Sequence, residues 1–153
     1  RIGWILPGRW YAAVDRLKTL SSVATNTPSQ LAIAEYLATG GYERHLRTFR
    51  KQLALQTGLM AETVAETFPA GTKVSRPAGG FVLWIELPEG SDTLDLYDRA
   101  VAEGIAFSPG AIFSASGRFG HCLRLSAGIW NPAVEKAVRR IGDLAVSLGK
   151  PGN

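Results

Sequence analysis

The pattern of apolar and polar positions changes character near residue 69. Before that point the spacing is mostly helical. Trp10, Val14, Leu17 and Leu20 recur at helical steps and predict a helix over residues 9–20. Ser21 to Pro28 is polar and turn-rich. A second helix is expected from Pro28 or Ser29, with Leu31, Ala34, Tyr36 and Leu37 as mostly buried candidates. Gly40–Gly41 ends it, because glycine accepts the backbone conformation that follows a helix C-terminus. The longest helical pattern covers residues 42–68, with Leu46, Phe49, Leu53, Met60 and Val64 on one stripe. Gly58 weakens its middle by about 1 kcal/mol relative to alanine. Ahead of these helices, Ile2 to Leu6 reads as a short buried strand broken by Pro7–Gly8.

After Pro69-Ala70-Gly71 the pattern becomes strand-like. A short strand is expected over residues 72–76, then a turn at Pro77-Ala78-Gly79-Gly80. Phe81 to Leu87 is the clearest strand, and its near-continuous apolarity predicts burial on both faces. Asp92 is expected to cap a helix carrying Leu94, Tyr97 and Val101 on its apolar side. Residues 105–107 and 121–126 read as two further strands. In the second, Leu123 and Leu125 point to one face and Arg124 to the other, because side chains alternate along a strand. Asn131 caps a last helix with Pro132 at its first position. Val134, Val138, Ile141, Ala145 and Leu148 form its apolar face. The fold class is therefore α/β with an α+β-like part: a mixed, mainly antiparallel sheet packed with helices.

Composition narrows the function classes. The 153 residues are 46% hydrophobic and 20% charged, as in a soluble globular domain. No apolar run is long enough to span a bilayer, so no membrane partner is expected. The single cysteine excludes an internal disulfide, which favours a cytoplasmic setting. Cys122 and the two histidines give no metal-ligand spacing. The net charge of +4 suits anionic ligands but is too small to argue for nucleic-acid binding by this chain. The opening Arg1-Ile2-Gly3-Trp4 has no initiator methionine, which is expected of a piece of a longer protein.

Several chemistries lack their residues. There is no Walker or dinucleotide phosphate loop and no Gly-x-Ser-x-Gly elbow. Ser114, Ser116 and Ser126 have no histidine–acid relay, and Cys122, set among apolar residues, reads as inert. The basic run Arg44 to Lys51 reads as a solvated helix face. Three anion-binding candidates remain: Arg1, Arg124 and, as a hydrogen-bond donor, Asn26. Guanidinium groups bind carboxylates and phosphates through paired hydrogen bonds.

Five short motifs, in order, resemble fold-type I aminotransferases that depend on pyridoxal phosphate. They are Arg1-Ile2-Gly3-Trp4, Pro28-Ser29-Gln30, the run from Gly41 to Arg47, the run from Arg76 to Pro88, and Gly110 to Gly117. The last two are most similar to the MocR group of GntR-type transcriptional regulators, in which a DNA-binding winged helix precedes an aminotransferase-like domain. The resemblance implies that residues 1–40 end the large domain with its connecting helices, and that residues 41–150 form the small domain, including the long helix 42–68. It implies that Arg1 contacts the cofactor phosphate, that Arg124 binds the α-carboxylate of an amino acid, and that Asn26 is a further cofactor-binding candidate. No catalytic residue is expected here, because the cofactor lysine would lie upstream of Arg1. None of Lys18, Lys51, Lys73, Lys136 and Lys150 matches it. The parent is expected to hold pyridoxal 5'-phosphate, to form a homodimer, to bind an amino acid or amine, and to bind DNA through its winged helix. This chain alone is expected neither to hold the cofactor nor to transaminate. The alternatives are a genuine aminotransferase and a domain that only mediates association.

Overall fold

The computed structural model describes residues 2–148. The chain divides into two compact units, residues 1–48 and 49–153, and the division falls inside a helix. The first unit holds α1 (Tyr11–Ser22), entered through a single 3-10 turn at Gly8–Trp10, then α2 (Thr27–Ala38) and the start of α3 (Gly41–Thr67). The Asn26 side chain caps α2 by accepting a 3.0 Å hydrogen bond from the Ser29 N–H. Pro28 then sits in the first turn, where a missing N–H costs nothing. Gly41 lies against Tyr36: a Cβ there would stand 2.6 Å from the ring, so any other residue at this turn from α2 into α3 requires the ring to move.

Two expectations fail in this unit. Ile2 to Leu6 is not a strand, and Trp4, Ile5 and Leu6 are exposed. A strand needs a neighbour's N–H and C=O groups, and no described strand pairs with this segment. The burial expected of Leu31, Ala34, Tyr36 and Leu37 on α2 also fails, and the stripe of α1 is likewise exposed: neither helix has a buried residue, and Leu20 and Leu31 are 73% and 66% accessible. Helical spacing tells which residues share a face; burial further requires something to cover that face.

The second unit is a two-layer α/β sandwich. Its sheet has the order β1-β2-β4-β3, from β1 (Lys73–Val74), β2 (Val82–Glu86), β4 (Cys122–Ser126) and β3 (Ser108–Pro109), and all three pairings are antiparallel. One sheet face carries Leu83, Ile85, Leu123 and Leu125. They join Met60, Val64 and Phe68 of α3 and its end, Leu96 and Ala100 of α4 (Thr93–Ala102), and Val138, Ile141 and Ala145 of α5 (Pro132–Leu148) in one core. Each fully buried leucine or isoleucine contributes roughly 1.5–3 kcal/mol of transfer free energy.

The local signals hold well here. Asp92 caps α4 by accepting from Leu94 N–H at 2.8 Å, and Asn131 caps α5 by accepting from Ala133 and Val134 N–H groups at 3.0 Å. Gly80 has φ +83°, as the expected turn requires. Three details differ. β2 is buried on one face only, because the helices all pack on the Leu83/Ile85 side; Trp84 opposite is half-buried and Val82 exposed. In α4 the buried positions are Thr93, Leu96 and Ala100, while Leu94 and Val101 face outward. The segment 105–107 is not a strand, since the Ile105 N–H closes α4 by bonding the Ala100 carbonyl; pairing with β4 begins at Ser108.

Candidate functional site

The site lies on the sheet face turned away from the helices. Alternation places Arg124 there, and register sets its neighbours: Trp84 of β2 on one side and Ser108 of β3 on the other. The next outward position along β4, Ser126, faces Val82. At the opposite end Cys122 is buried, because the segment after β3 folds over it. Gly110 permits this close approach: a Cβ there would stand 2.6 Å from the Cys122 carbonyl oxygen and 2.8 Å from its Cβ. The 3-10 turn Gly110–Phe113 that follows carries Phe113 to Arg124, with the guanidinium carbon 4.8 Å from the ring centroid.

Phe113 and Phe119 both meet Trp84 edge-to-face, with centroids 5.7 and 5.5 Å apart. The intervening loop is closed by Ser114, whose hydroxyl accepts from the N–H groups of Ser116 and Arg118. Arg118 covers Phe119 at 5.4 Å. Arg124 donates one long hydrogen bond, 3.4 Å from Nη2 to Ser108 Oγ. Among the described residues no carboxylate pairs with it, whereas Arg99, Arg139 and Arg140 each form ion pairs. An exposed guanidinium has five N–H donors, and most of those on Arg124 point at no protein acceptor. That arrangement can accept a carboxylate in two parallel hydrogen bonds. A depression of about 510 Å³ that reaches Arg124 lies toward the helix side: Ser108, Ser126 and Phe107 line it together with the core residues Val138 and Ile141 of α5.

The other expected site residues lie elsewhere. Arg1 is outside the described residues, and Asn26 belongs to the first unit. Cys122 is buried and its thiol pKa is pushed up, mainly by burial and further by the Glu86 charge, so it has little thiolate character. Arg44, Arg47, Arg50 and Lys51 are exposed along α3, as expected. A larger cleft of about 940 Å³ runs between α3 and the turn before β2; Arg50, Glu62 and Arg76 line it, and it contains no lysine.

Pyridoxal phosphate needs a lysine for its aldehyde and donors for its phosphate. Lys51 is exposed on α3, Lys73 pairs with Glu86 at 3.6 Å, and Lys136 is on α5; none lines the depression at Arg124. Lys18 is in the first unit. The described residues therefore do not fit the whole cofactor. What they fit is a carboxylate.

Sequence reasoning found Arg124 from strand alternation and from its Gly- and Ser-rich surroundings. It missed the aromatic support of Trp84, Phe113 and Phe119, which comes from separate segments. The available signal was the loop Pro109 to Phe113, where a glycine precedes an aromatic residue immediately before a small-residue turn.

Known proteins share this fold and much of this sequence. The chain is 34% identical over 145 residues to the uncharacterized HTH-type transcriptional regulator YdcR of Escherichia coli (strain K12), covering 94% of the chain and 31% of the relative. It is 32% identical over 127 residues to aromatic-amino-acid aminotransferase 1 of Thermococcus litoralis, covering 82% of the chain and 30% of that protein. The chain thus spans about a third of the length of the curated relatives it matches. Among solved structures, the α-aminoadipate aminotransferase LysN of Thermus thermophilus, complexed with N-(5'-phosphopyridoxyl)-L-leucine, superposes with a TM-score of 0.79 at 29% identity, over 92% of this chain and 36% of that one. The family described as aminotransferase class I and II matches residues 1–141, and the chain belongs to that family.

Proposed function

We propose that this chain is the C-terminal part of the aminotransferase-like domain of a MocR/GntR-type transcriptional regulator. In this reading the parent binds pyridoxal phosphate, the cofactor of the family. It senses an amino acid or amine and changes its affinity for DNA, which it contacts through a winged helix outside this chain. The observation that carries the reading is the similarity to helix-turn-helix regulators, 34% and 35% identical across 94% of the chain, against 32% across 82% and 26% across 94% for two aminotransferases. Arg124 holds the ligand carboxylate. Arg1 is assigned to the cofactor phosphate, and Asn26 contributes the amide nitrogen that its capping bond leaves over. Residues 1–40 end the large domain, residues 41–150 form the small domain, and the parent is a homodimer.

The test uses the full-length parent. Its affinity for its own promoter DNA is measured by fluorescence anisotropy, with and without pyridoxal phosphate and a panel of amino acids. The expected result is DNA binding modulated by an amino acid, with the modulation abolished and the unliganded affinity retained in Arg124→Ala. Steady transamination by a parent with no DNA affinity overturns the reading. That outcome establishes the second reading, a genuine aminotransferase acting on amino acids, which the similarity to the enzymes favours.

A further inference from the structure

We infer that Phe113 is a positioning residue for Arg124: its ring, braced by Trp84, fixes the plane of the guanidinium and turns the free N–H edge outward.

The argument starts from the freedom of an arginine on a strand. Its long side chain samples many rotamers, and a carboxylate that captures it must first collect them into one, at a cost in entropy. Phe113 removes part of that cost before any ligand arrives. The guanidinium carbon lies 4.8 Å from the ring centroid, within the range of a cation–π contact. The ring is in turn held edge-to-face by Trp84, at 5.7 Å and 67°. Trp84 is the residue directly opposite Arg124 in the sheet register. The three side chains therefore close a loop through two strands and a 3-10 turn, and none can swing without losing a contact. The Ser108 hydroxyl, at 3.4 Å, is too long a partner to do this by itself. Placement of the ring depends on Gly110, which lets the turn lie against Cys122. Phe113 is a large apolar residue left 42% exposed, and its contacts with Arg124 and Trp84 give a reason for it to stand there.

The pinning stands on geometry alone; that it serves carboxylate binding rests on the reading of Arg124 proposed above. Both are tested by NMR on this chain, following the Arg124 side-chain Nε–Hε signal. In the wild type that signal is expected to carry a ring-current shift and to show an NOE to the Phe113 ring. Phe113→Leu, similar in size but without a π face, abolishes the shift; Phe113→Tyr retains it; Ser108→Ala changes it little. An unshifted wild-type signal without the NOE overturns the inference, and so does an Arg124 signal that is the same in Phe113→Leu. A missing wild-type NOE overturns the inference even if a variant fails to fold. Sodium acetate is then titrated as the carboxylate probe. It is expected to perturb Arg124, with affinity weakened about two- to fivefold in Phe113→Leu and restored in Phe113→Tyr. Equal acetate affinity in wild type and Phe113→Leu overturns the inference. A pinned Arg124 that ignores acetate overturns the carboxylate reading and leaves the positioning role in place.

Discussion

Arg140 of α5 grips Glu103, the residue that ends α4, through two hydrogen bonds: Nε to Oε2 at 2.7 Å and Nη2 to Oε1 at 2.6 Å. The pair ties together two helices on the same side of the sheet. The guanidinium holds the Glu103 carboxyl below the ordinary carboxylate range, with partial desolvation opposing it. A carboxyl whose pKa is lowered in the folded state contributes stability above its unfolded value, and that stability is lost as pH falls through the lowered value. Thermal melts of wild type and Glu103→Gln should therefore differ at neutral pH and converge in acid. A gap that stays constant down to low pH would show that the charge pair is not its source.

Two helical glycines should respond to alanine in opposite directions. Gly58, inside α3, has open space where its Cβ would go, so Gly58→Ala gains helix propensity and should stabilise by about 0.5–1 kcal/mol. Gly142 of α5 lies against the end of α3, where a Cβ would stand 2.8 Å from both the carbonyl oxygen and the hydroxyl of Thr67. The propensity gain is the same, but backbone cannot yield as a side-chain tip can, and overpacking costs about 1–3 kcal/mol. Gly142→Ala should be net destabilising in urea titrations. Equal responses at the two positions would contradict the close helix contact.

Cys122 should behave as a buried thiol. It is 1% exposed and its pKa is raised, so iodoacetamide should label it slowly in the native chain and quickly in denaturant. The sign of its pH linkage is opposite to that of Glu103. The thiol contributes stability below its ordinary, unfolded pKa and loses it as pH rises through the raised value. Stability should thus fall less between neutral and alkaline pH in Cys122→Ala than in the wild type. Rapid native labelling would mean that the loop over Cys122 stands open.

The caps of α4 and α5 offer a fourth check. Asp92→Ala and Asn131→Ala should each cost about 1 kcal/mol, measured as a fall in unfolding free energy. A loss in either variant no larger than that of an exposed-surface alanine control would show that its cap is not formed in solution.

These caps also show what the sequence makes legible. Asp92 and Asn131 bond backbone groups two or three residues ahead, so the whole interaction lies within one short window. The same holds for the face of α5, where Val138, Ile141 and Ala145 are buried as their spacing predicts. The exposed stripes of α1 and α2 obey the same spacing without burial, because burial depends on what lies opposite. The two-sided burial expected of β2 fails for that reason too: apolar content alone did not reveal that helices cover only one face. At the site, Arg124 was legible from alternation within its own strand. Its contact with Phe113 was not, because that depends on a loop route fixed by Gly110 and on register with Trp84.

The absence of any buried residue between Ile2 and Thr48 sets a hierarchy of local opening. Isolated helices of twelve residues are marginal in water, and α1 and α2, at twelve residues each, draw no stability from a covered apolar face. Their amide protons should exchange quickly, through small, frequent fluctuations. Those of β2 and β4, beneath a shared core, should be released only when the whole second unit opens. Arg124 thus stands on a strand expected to be among the slowest to exchange, a post from which a small anion can be held in a constant orientation.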